Sequence, residues 1–429
     1  MDEKNRVIGR NGVRALGLIL SNQRHGVSAC LAKVRVRIVA PAVRPPLAAW
    51  ILATVLSVGW IFGASAGSYT AVNLYTLTAP TGISPLMLSS GPLQVFNGAG
   101  IVGYGFVTGT ENSYHALLWN GTSVATDLHP TNLAGFTISE AILNSGTQQV
   151  GAGIGTEGNF HALLWNGTSV ATDLNPTNFD TSIAYGTNGT QQVGSGSGTS
   201  TGNTNHALLW NGSRVATDLH PTNLAGFLYS VAYGNNGTQQ VGFGGGTGTG
   251  NNDHALLWNG TSVATDMHPT NLAGFTNSYA YATSDTQQVG SGYGTGTGNN
   301  NHALLWNGSS VATDLHPTNL AGFTISEAYA TSGTQQVGYG YGIGRGVGLR
   351  ALLWNGTSVA TDLGALLSPG LSDSYAYSLD ASGNVFGTAG DASGNVHAIE
   401  WVAVPEPAGL TLMTLGAGAL LARKRRCVA

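Results

Sequence analysis

The chain has little charge: only 8% of its 429 residues are Asp, Glu, Lys or Arg. It also has few cysteines, and Cys30 and Cys427 both lie near the ends. A body without cysteine has no disulfide, so its stability must come from packing and strand ladders. Positive charge is almost missing from the middle. Nine of the 16 Lys/Arg precede residue 45 and four more lie at Arg423–Arg426. Gly67 to Val404 keeps three (Arg214, Arg345, Arg350) against 17 Asp/Glu, a net charge near −14. Such a surface repels phosphate backbones, which excludes nucleic acid as a partner. No GxSxG, HExxH or EF-hand loop occurs. The GxGxxG-like strings lead into strands rather than a helix, which excludes a phosphate cradle. Disorder is excluded too, because 42% of the residues are hydrophobic and net charge is low. Glycine is abundant, 64 residues, but has no G-X-Y period, so the chain is not collagen-like.

What the chain does have is repetition. "HALLWNGTSVATDLHPTNLAGF" begins at His115, and copies follow at His161, His206, His254 and His302, with weaker ones at Arg350 and His397. The spacings are 46, 45, 48, 48, 48 and 47 residues. A period of this length belongs to propellers and solenoids. Each unit divides into four strand-length runs with no helix period, for example Ser278–Ser284, Thr286–Tyr293, His302–Asn307 and Ser309–Leu315. Asn-Gly pairs at Asn120, Asn166, Asn211, Asn259, Asn307 and Asn355 predict type I′ hairpins between the third and fourth runs. Asn188-Gly189 and Asn236-Gly237 predict turns between the first and second.

The fold expected is therefore all-β: a seven-bladed β-propeller of four-stranded antiparallel blades spanning 67–403. The ends of the repeat array predict how it closes. The last unit, His397–Trp401, has no fourth run, while Thr70–Leu77 is a fourth run with no blade before it. Pairing them closes the ring by 3+1 closure and removes the exposed edges that invite association, so a monomer is expected.

Both chain ends look like addresses. The apolar run Pro45–Gly67 follows Lys33, Arg35, Arg37 and Arg44 and ends in Ala64-Ser65-Ala66, small residues suited to signal-peptidase cleavage. Residues 1–66 are thus expected to be a signal peptide with a long n-region, and the competing expectation is a retained transmembrane anchor. At the other end Pro405, Glu406 and Pro407 precede an apolar stretch, Ala408–Ala422, and the basic cluster Arg423, Lys424, Arg425 and Arg426. Residues 404–429 in this order resemble the PEP-CTERM sorting signal of Gram-negative bacteria. The resemblance implies export, transient membrane insertion, processing by an exosortase-type enzyme, and a place at the cell surface or in an exopolysaccharide matrix. The repeats resemble the HAF repeat of bacterial extracellular proteins, best in Asp362–Gly387, although Leu117 and its equivalents stand where that family has Phe. That resemblance carries no catalytic signature and no cofactor.

The histidines that begin the third runs cannot converge on one metal, because equivalent positions fan out around a ring. They are expected to hydrogen-bond a neighbouring blade, and Asp127 and its equivalents to accept from nearby backbone. A second ring is formed by His129, His220, His268 and His316, with Asn175 at the fifth site. It lies in the loops that enter each next blade. Those loops and the Gly/Thr/Asn-rich loops after the second strands must emerge on one face, where function concentrates. Phe136, Phe227, Phe275 and Phe323 there either stack on sugars or staple their loops to the blade below. Acids outside the repeat pattern are scattered: Glu111, Glu140, Glu157, Asp180, Asp253, Asp285, Glu327 and Asp373. A glycosidase needs two close carboxylates, and Glu140 and Glu327 share one first-strand position. The expected function is a non-enzymatic surface protein contacting exopolysaccharide. The alternatives are an extracellular glycan-acting enzyme and a calcium-stabilised structural module.

Overall fold

Six blades are four antiparallel strands in sequence order, the seventh takes its outer strand from the start of the array, and the seven sheets stand around a common axis as a propeller. The structure, a computed structural model, describes residues 68–87, 100–108, 113–342 and 348–404. All belong to the second of the chain's two units, Ala64–Ala429. The expected signal segment with Ala64 and Ala66, and the sorting segment with Pro405–Pro407 and Arg423–Arg426, lie outside the described residues. Among the described residues no helix is long and apolar enough to cross a membrane.

Blade 5 is typical: Asn277–Thr283, Gln288–Tyr293, His302–Trp306 and Ala312–Asp314. Blade 7 is completed from the other end of the chain. Its strands Leu371–Leu379, Val385–Asp391 and Val396–Val404 are joined by Ser68–Thr76. That closing strand pairs antiparallel with the last one from Ser68↔Val404 to Thr76↔His397. The Asn73 and Thr76 side chains also meet His397 Nδ1, at 3.1 and 3.2 Å. The 3+1 closure expected from the sequence is present.

The blades are held by seven apolar clusters, one at each seam between neighbouring blades, and the one between blades 7 and 1 extends to Tyr329 of blade 6. The "HALLW" strand supplies both sides of each seam. Leu208 and Trp210 face blade 2, while Ala207 and Leu209 face blade 4. This is why the strand is apolar without alternation: it is buried on both faces, like a strand of a parallel sheet. The seven tryptophans Trp119, Trp165, Trp210, Trp258, Trp306, Trp354 and Trp401 are fully buried. Trp119 Nε1 donates to Thr78 O and Trp401 Nε1 to Leu363 O, both at 2.9 Å. The Nε1 groups of the other five are buried without a partner.

The third-to-fourth turns differ from expectation. In blades 2 to 6 they are five-residue connections, such as Asn166–Val170, and in blade 1 a six-residue one, not two-residue type I′ hairpins. Only the glycine has positive φ (Gly167, 79°); no asparagine of these pairs does. The reason is a hydrogen bond that the local sequence does not reveal. The second Gln of each "TQQV" reaches across the blade, and its Oε1 accepts from the turn glycine, as Gln149 does from Gly167 N at 2.7 Å. The Asn188 turn lies where expected, with Asn188 Oδ1 accepting from Thr190 N and Gln191 N.

First strands carry a β-bulge at one position, for example between Ala184 and Gly186. The bulged residue is Ile142, Tyr185, Tyr233, Tyr281, Tyr329 or Tyr377 in blades 2 to 7. A bulge re-aims its side chain, and here it turns five tyrosines into one arc about the axis. Consecutive rings lie 5.3, 5.9, 6.0 and 5.9 Å apart. The bulge also brings backbone close, so a Cβ on Gly242 of the second strand would run into the Val231 carbonyl oxygen.

Candidate functional site

The histidines that begin the third strands pair within their own blade, not with a neighbour. His115 Nδ1 meets Asp127 Oδ2 at 2.8 Å, and four other blades repeat this. The fourth strand runs beside the third, so His and Asp twelve residues apart end up side by side. Asp127 Oδ1 accepts from the His129 backbone N–H at 2.8 Å, the backbone role expected for this aspartate. Among the described residues no group of three or more His, Cys, Asp or Glu gathers in a way that would hold a metal.

The second histidine ring stacks on the first. His115 and His129 lie 3.9 Å apart and nearly parallel, and so do the pairs at His206, His254 and His302. His129 Nδ1 meets Ser139 Oγ at 2.9 Å, and Nε2 meets Phe136 O at 3.2 Å. A carbonyl can only accept, so Nε2 carries the proton and Nδ1 accepts from the serine hydroxyl. Blade 2 makes the same two bonds with an amide. Asn175 Nδ2 donates to Phe179 O, and Asn175 Oδ1 accepts from Ser182 Oγ. An amide that cannot be protonated near neutral pH does the same work, so the ring acts as a neutral linker.

Burial pushes His129, His220, His268 and His316 below the ordinary value of 6.5, and the facing histidine's charge adds to this. The unfolded chain therefore binds more protons as pH falls through 6.5. Stability held by these four sites is present above 6.5 and is lost as pH drops through the lower folded values. The aspartates titrate in a separate window. Burial raises Asp127, but its bonds to His115 and the His129 N–H, with the two imidazole charges, outweigh this and lower it below 3.8. We expect the melting temperature to fall on acidification from pH 7 to 5. In the variant H129N/H220N/H268N/H316N that slope should be largely lost while the fold is retained. Calorimetric melts at several pH values decide it: an unchanged slope would show that the ring is not the source.

The phenylalanines point into the seams. Phe136, Phe227 and Phe275 are half-buried against the apolar clusters, and Phe323 is buried. Each of the first three also meets the next blade's histidine edge-on, as Phe136 does His161 at 5.8 Å. The loop asparagine clamps the next blade's outer strand: Asn132 Nδ2 donates to Ala171 O and Oδ1 accepts from Ala171 N. As expected, the two kinds of long loop share one face, where Gly248 N donates to Gly226 O. The repeated residues of the "HALLW…HPTNLAGF" unit are thus taken up by scaffold contacts.

The residues that differ between copies gather elsewhere. One set lies on the first strands: Glu140, Ile183, Val231, Tyr279, Glu327 and Tyr375. Its cross-strand partners are Ala152, Ser195, Phe243, Ser291, Tyr339 and Thr388. A third set precedes the third-strand histidines and includes Tyr114, Asp253 and Asn301. Inner strands run nearest the axis, and these positions lie between the tyrosine arc and the long-loop face. They form three groups. In blades 4 and 5, Asp253 accepts from Tyr229 OH and Tyr279 OH, both at 2.6 Å, and Phe243 packs on Tyr279 at 5.1 Å. In blades 5, 6 and 7, Glu327 accepts from Asn301 Nδ2 at 2.6 Å, beside Tyr339 and Tyr375. In blades 1 and 2, Tyr104, Phe106 and Tyr114 surround Glu140.

Burial pushes the Glu140 carboxyl up. It does the same to Glu327, although bonds from Asn301, Tyr329 and Tyr339 pull back. Burial, then the charges of Glu140 and Tyr104, lifts Tyr114 to about 12. The two glutamates occupy blades 2 and 6, each with its own tyrosines. Sequence reasoning named Glu140, Asp253 and Glu327 as acids outside the repeat pattern but read them as scattered, and it missed the aromatic residues that gather beside them. Comparing the seven copies position by position would have found these.

No protein family matches this sequence, and no curated protein does. Among solved structures the chain is similar to the BP39L lectin from Burkholderia pseudomallei, at 10% identity and TM-score 0.36, over 79% of this chain and 99% of the lectin. It is also similar to a puromycin-hydrolyzing peptidase from Mycobacterium tuberculosis, at 13% identity and TM-score 0.41, over 76% of this chain and 54% of the peptidase, so it spans about half of that protein's length. A mutant of AofleA from Arthrobotrys oligospora is similar at 9% identity and TM-score 0.33, over 61% of this chain and 85% of that one.

Proposed function

We propose that this chain is an exported protein of the bacterial cell surface or extracellular matrix, and that its propeller binds polysaccharide without cleaving it. The observation that carries the reading is the placement of the variable residues. The repeated units keep their scaffold residues and change the aromatic and acidic ones around the axis, toward the long-loop face. Half-buried aromatic rings offer faces to sugar C–H groups, and carboxylates accept from sugar hydroxyls. Asp253 with Tyr229, Tyr279 and Phe243 is the best-formed of the three groups. The run Pro45–Gly67 and the Pro405-Glu406-Pro407 segment with its basic cluster support export and exosortase-type processing.

Affinity electrophoresis of the protein through gels containing the producing cell's exopolysaccharide tests this. We expect retardation by wild type, and at least tenfold weaker retardation for Tyr279→Ala and Asp253→Asn with their melts still cooperative. Equal mobility of all three with and without polymer would remove the reading. Release of reducing ends from the same polymer, abolished in Glu140→Gln or Glu327→Gln, would replace it with an enzymatic one.

A further inference from the structure

A cavity of about 350 Å³ opens on the axis at the other face, where the tight turns lie. First strands of blades 2 to 7 line it. Tyr233, Tyr281 and Tyr329 form its aromatic wall, and Thr187, Asn235, Thr283 and Thr331 its polar rim. Among the described residues no charged side chain lines it. Its volume falls at the small end of ligand pockets, which run from about 300 to 1,000 Å³.

The rim position is threonine in blades 3, 5 and 6, Asn144 in blade 2, Asn235 in blade 4 and Leu379 in blade 7. At three seams a threonine hydroxyl donates to a glutamine of the preceding blade: Thr187 to Gln148, Thr283 to Gln239 and Thr331 to Gln287, at 2.9 to 3.1 Å. The same Oε1 takes a second bond from Gln192, Gln288 or Gln336. In blade 4 the threonine is replaced by Asn235. Its Nδ2 reaches only the Gln191 backbone carbonyl, at 3.4 Å. Asn235 Oδ1 and Gln191 Oε1 are both buried without a donor. An unpaired buried acceptor is costly, so this seam is under-satisfied where the three threonine seams are complete.

We propose that this cavity binds one neutral sugar ring, with Asn235 as the residue that sets its orientation. The chemistry follows from the lining. Asn235 lines the cavity, and its Oδ1, which has no donor in the seam, suits a ligand that brings hydroxyls. Rotation of Asn235 about its Cβ–Cγ bond turns Oδ1 to the lumen. The absence of any carboxylate disfavours an ammonium, because a buried unpaired charge is costly. The tyrosine wall selects a pyranose, with its apolar C–H face, over a linear polyol. This site is separate from the long-loop face and stands or falls without it.

Titration calorimetry on the intact protein tests it with D-glucose, D-galactose, D-mannose and L-fucose. Glycerol and D-glucuronate serve as linear and charged controls, and a hexasaccharide of the best binder is run beside the free sugar. We expect one of the four sugars to bind at one site per chain and both controls to fail. Equal binding of monosaccharide and hexasaccharide assigns the site to a free sugar; tighter binding of the hexasaccharide assigns it to a chain end. Asn235→Thr introduces the threonine of blades 3, 5 and 6, so it should raise the melting temperature and weaken sugar binding at least tenfold. Ala282→Leu, which fills the cavity, should also abolish binding. Retention by polysaccharide gels should be unchanged in Asn235→Thr, so failure here is distinguishable from failure of the long-loop reading. No binding by any of the four sugars, equal binding of glucuronate or glycerol, or unaltered affinity in Asn235→Thr would each overturn the proposal.

Discussion

A chain lacking residues 68–76 is expected to lose cooperative folding or to melt more than ten degrees below the full chain, and to associate. The deleted strand supplies the whole outer strand of blade 7, from Ser68↔Val404 to Thr76↔His397. Its Tyr69 and Ala71 pack on the cluster containing Leu363, Ile399 and Trp401. Its C-terminal end leads into Leu77, which is buried at the seam between blades 7 and 1. Removing it opens the last strand as an unpaired edge, and such edges template pairing with other chains. A loss of about 5 kcal/mol is a large part of the 5–15 kcal/mol that holds a typical domain together. Circular dichroism melts with size-exclusion chromatography read both consequences. A truncated chain that melts like the full one and stays monomeric would show that the ring does not depend on this closure.

The second large effect concerns the indoles. Trp258→Ala should destabilise by about 3–5 kcal/mol, the cost of a large cavity that a packed seam cannot collapse. The ring is fully buried between blades 3 and 4 among Leu209, Leu219 and Leu256. Substitution by Phe separates packing from hydrogen bonding. Trp258→Phe removes an N–H that has no partner, so part of the lost area is offset. Trp401→Phe instead leaves the Leu363 carbonyl without its donor, which costs about 1–3 kcal/mol more. Urea unfolding of Trp258→Phe and Trp401→Phe compares them directly. Equal losses at the two positions would mean that the Trp401–Leu363 bond contributes nothing.

Much of this architecture was legible in the residues, and the exceptions have physical causes. The blade number and the 3+1 closure followed from a period and two unmatched ends. The hairpin type did not, because Asn-Gly read alone favours type I′, while Gln149 and its equivalents reach in from the second strand and hold a longer turn. The histidines were placed correctly on strand and loop, but their partners were not. That His115 meets Asp127 of its own blade, and that His129 lies over it, depends on how the third and fourth strands run side by side. Asn175 in place of a histidine was visible in the sequence, but its meaning emerged only when its two bonds proved equivalent to those of His129.

The sequence by itself determined a seven-fold scaffold, because period, turn residues and apolar strands are local signals that survive without coordinates. It also determined which face carries the long loops, since four antiparallel strands leave no other choice. The tertiary structure alone decided where the copies differ usefully. Tyr229, Asp253 and Tyr279 lie on three strands of two blades, and Gln191 and Asn235 meet across a seam. Side chains tens of residues apart become neighbours only when first strands converge on an axis, and convergence belongs to the closed ring rather than to any one repeat.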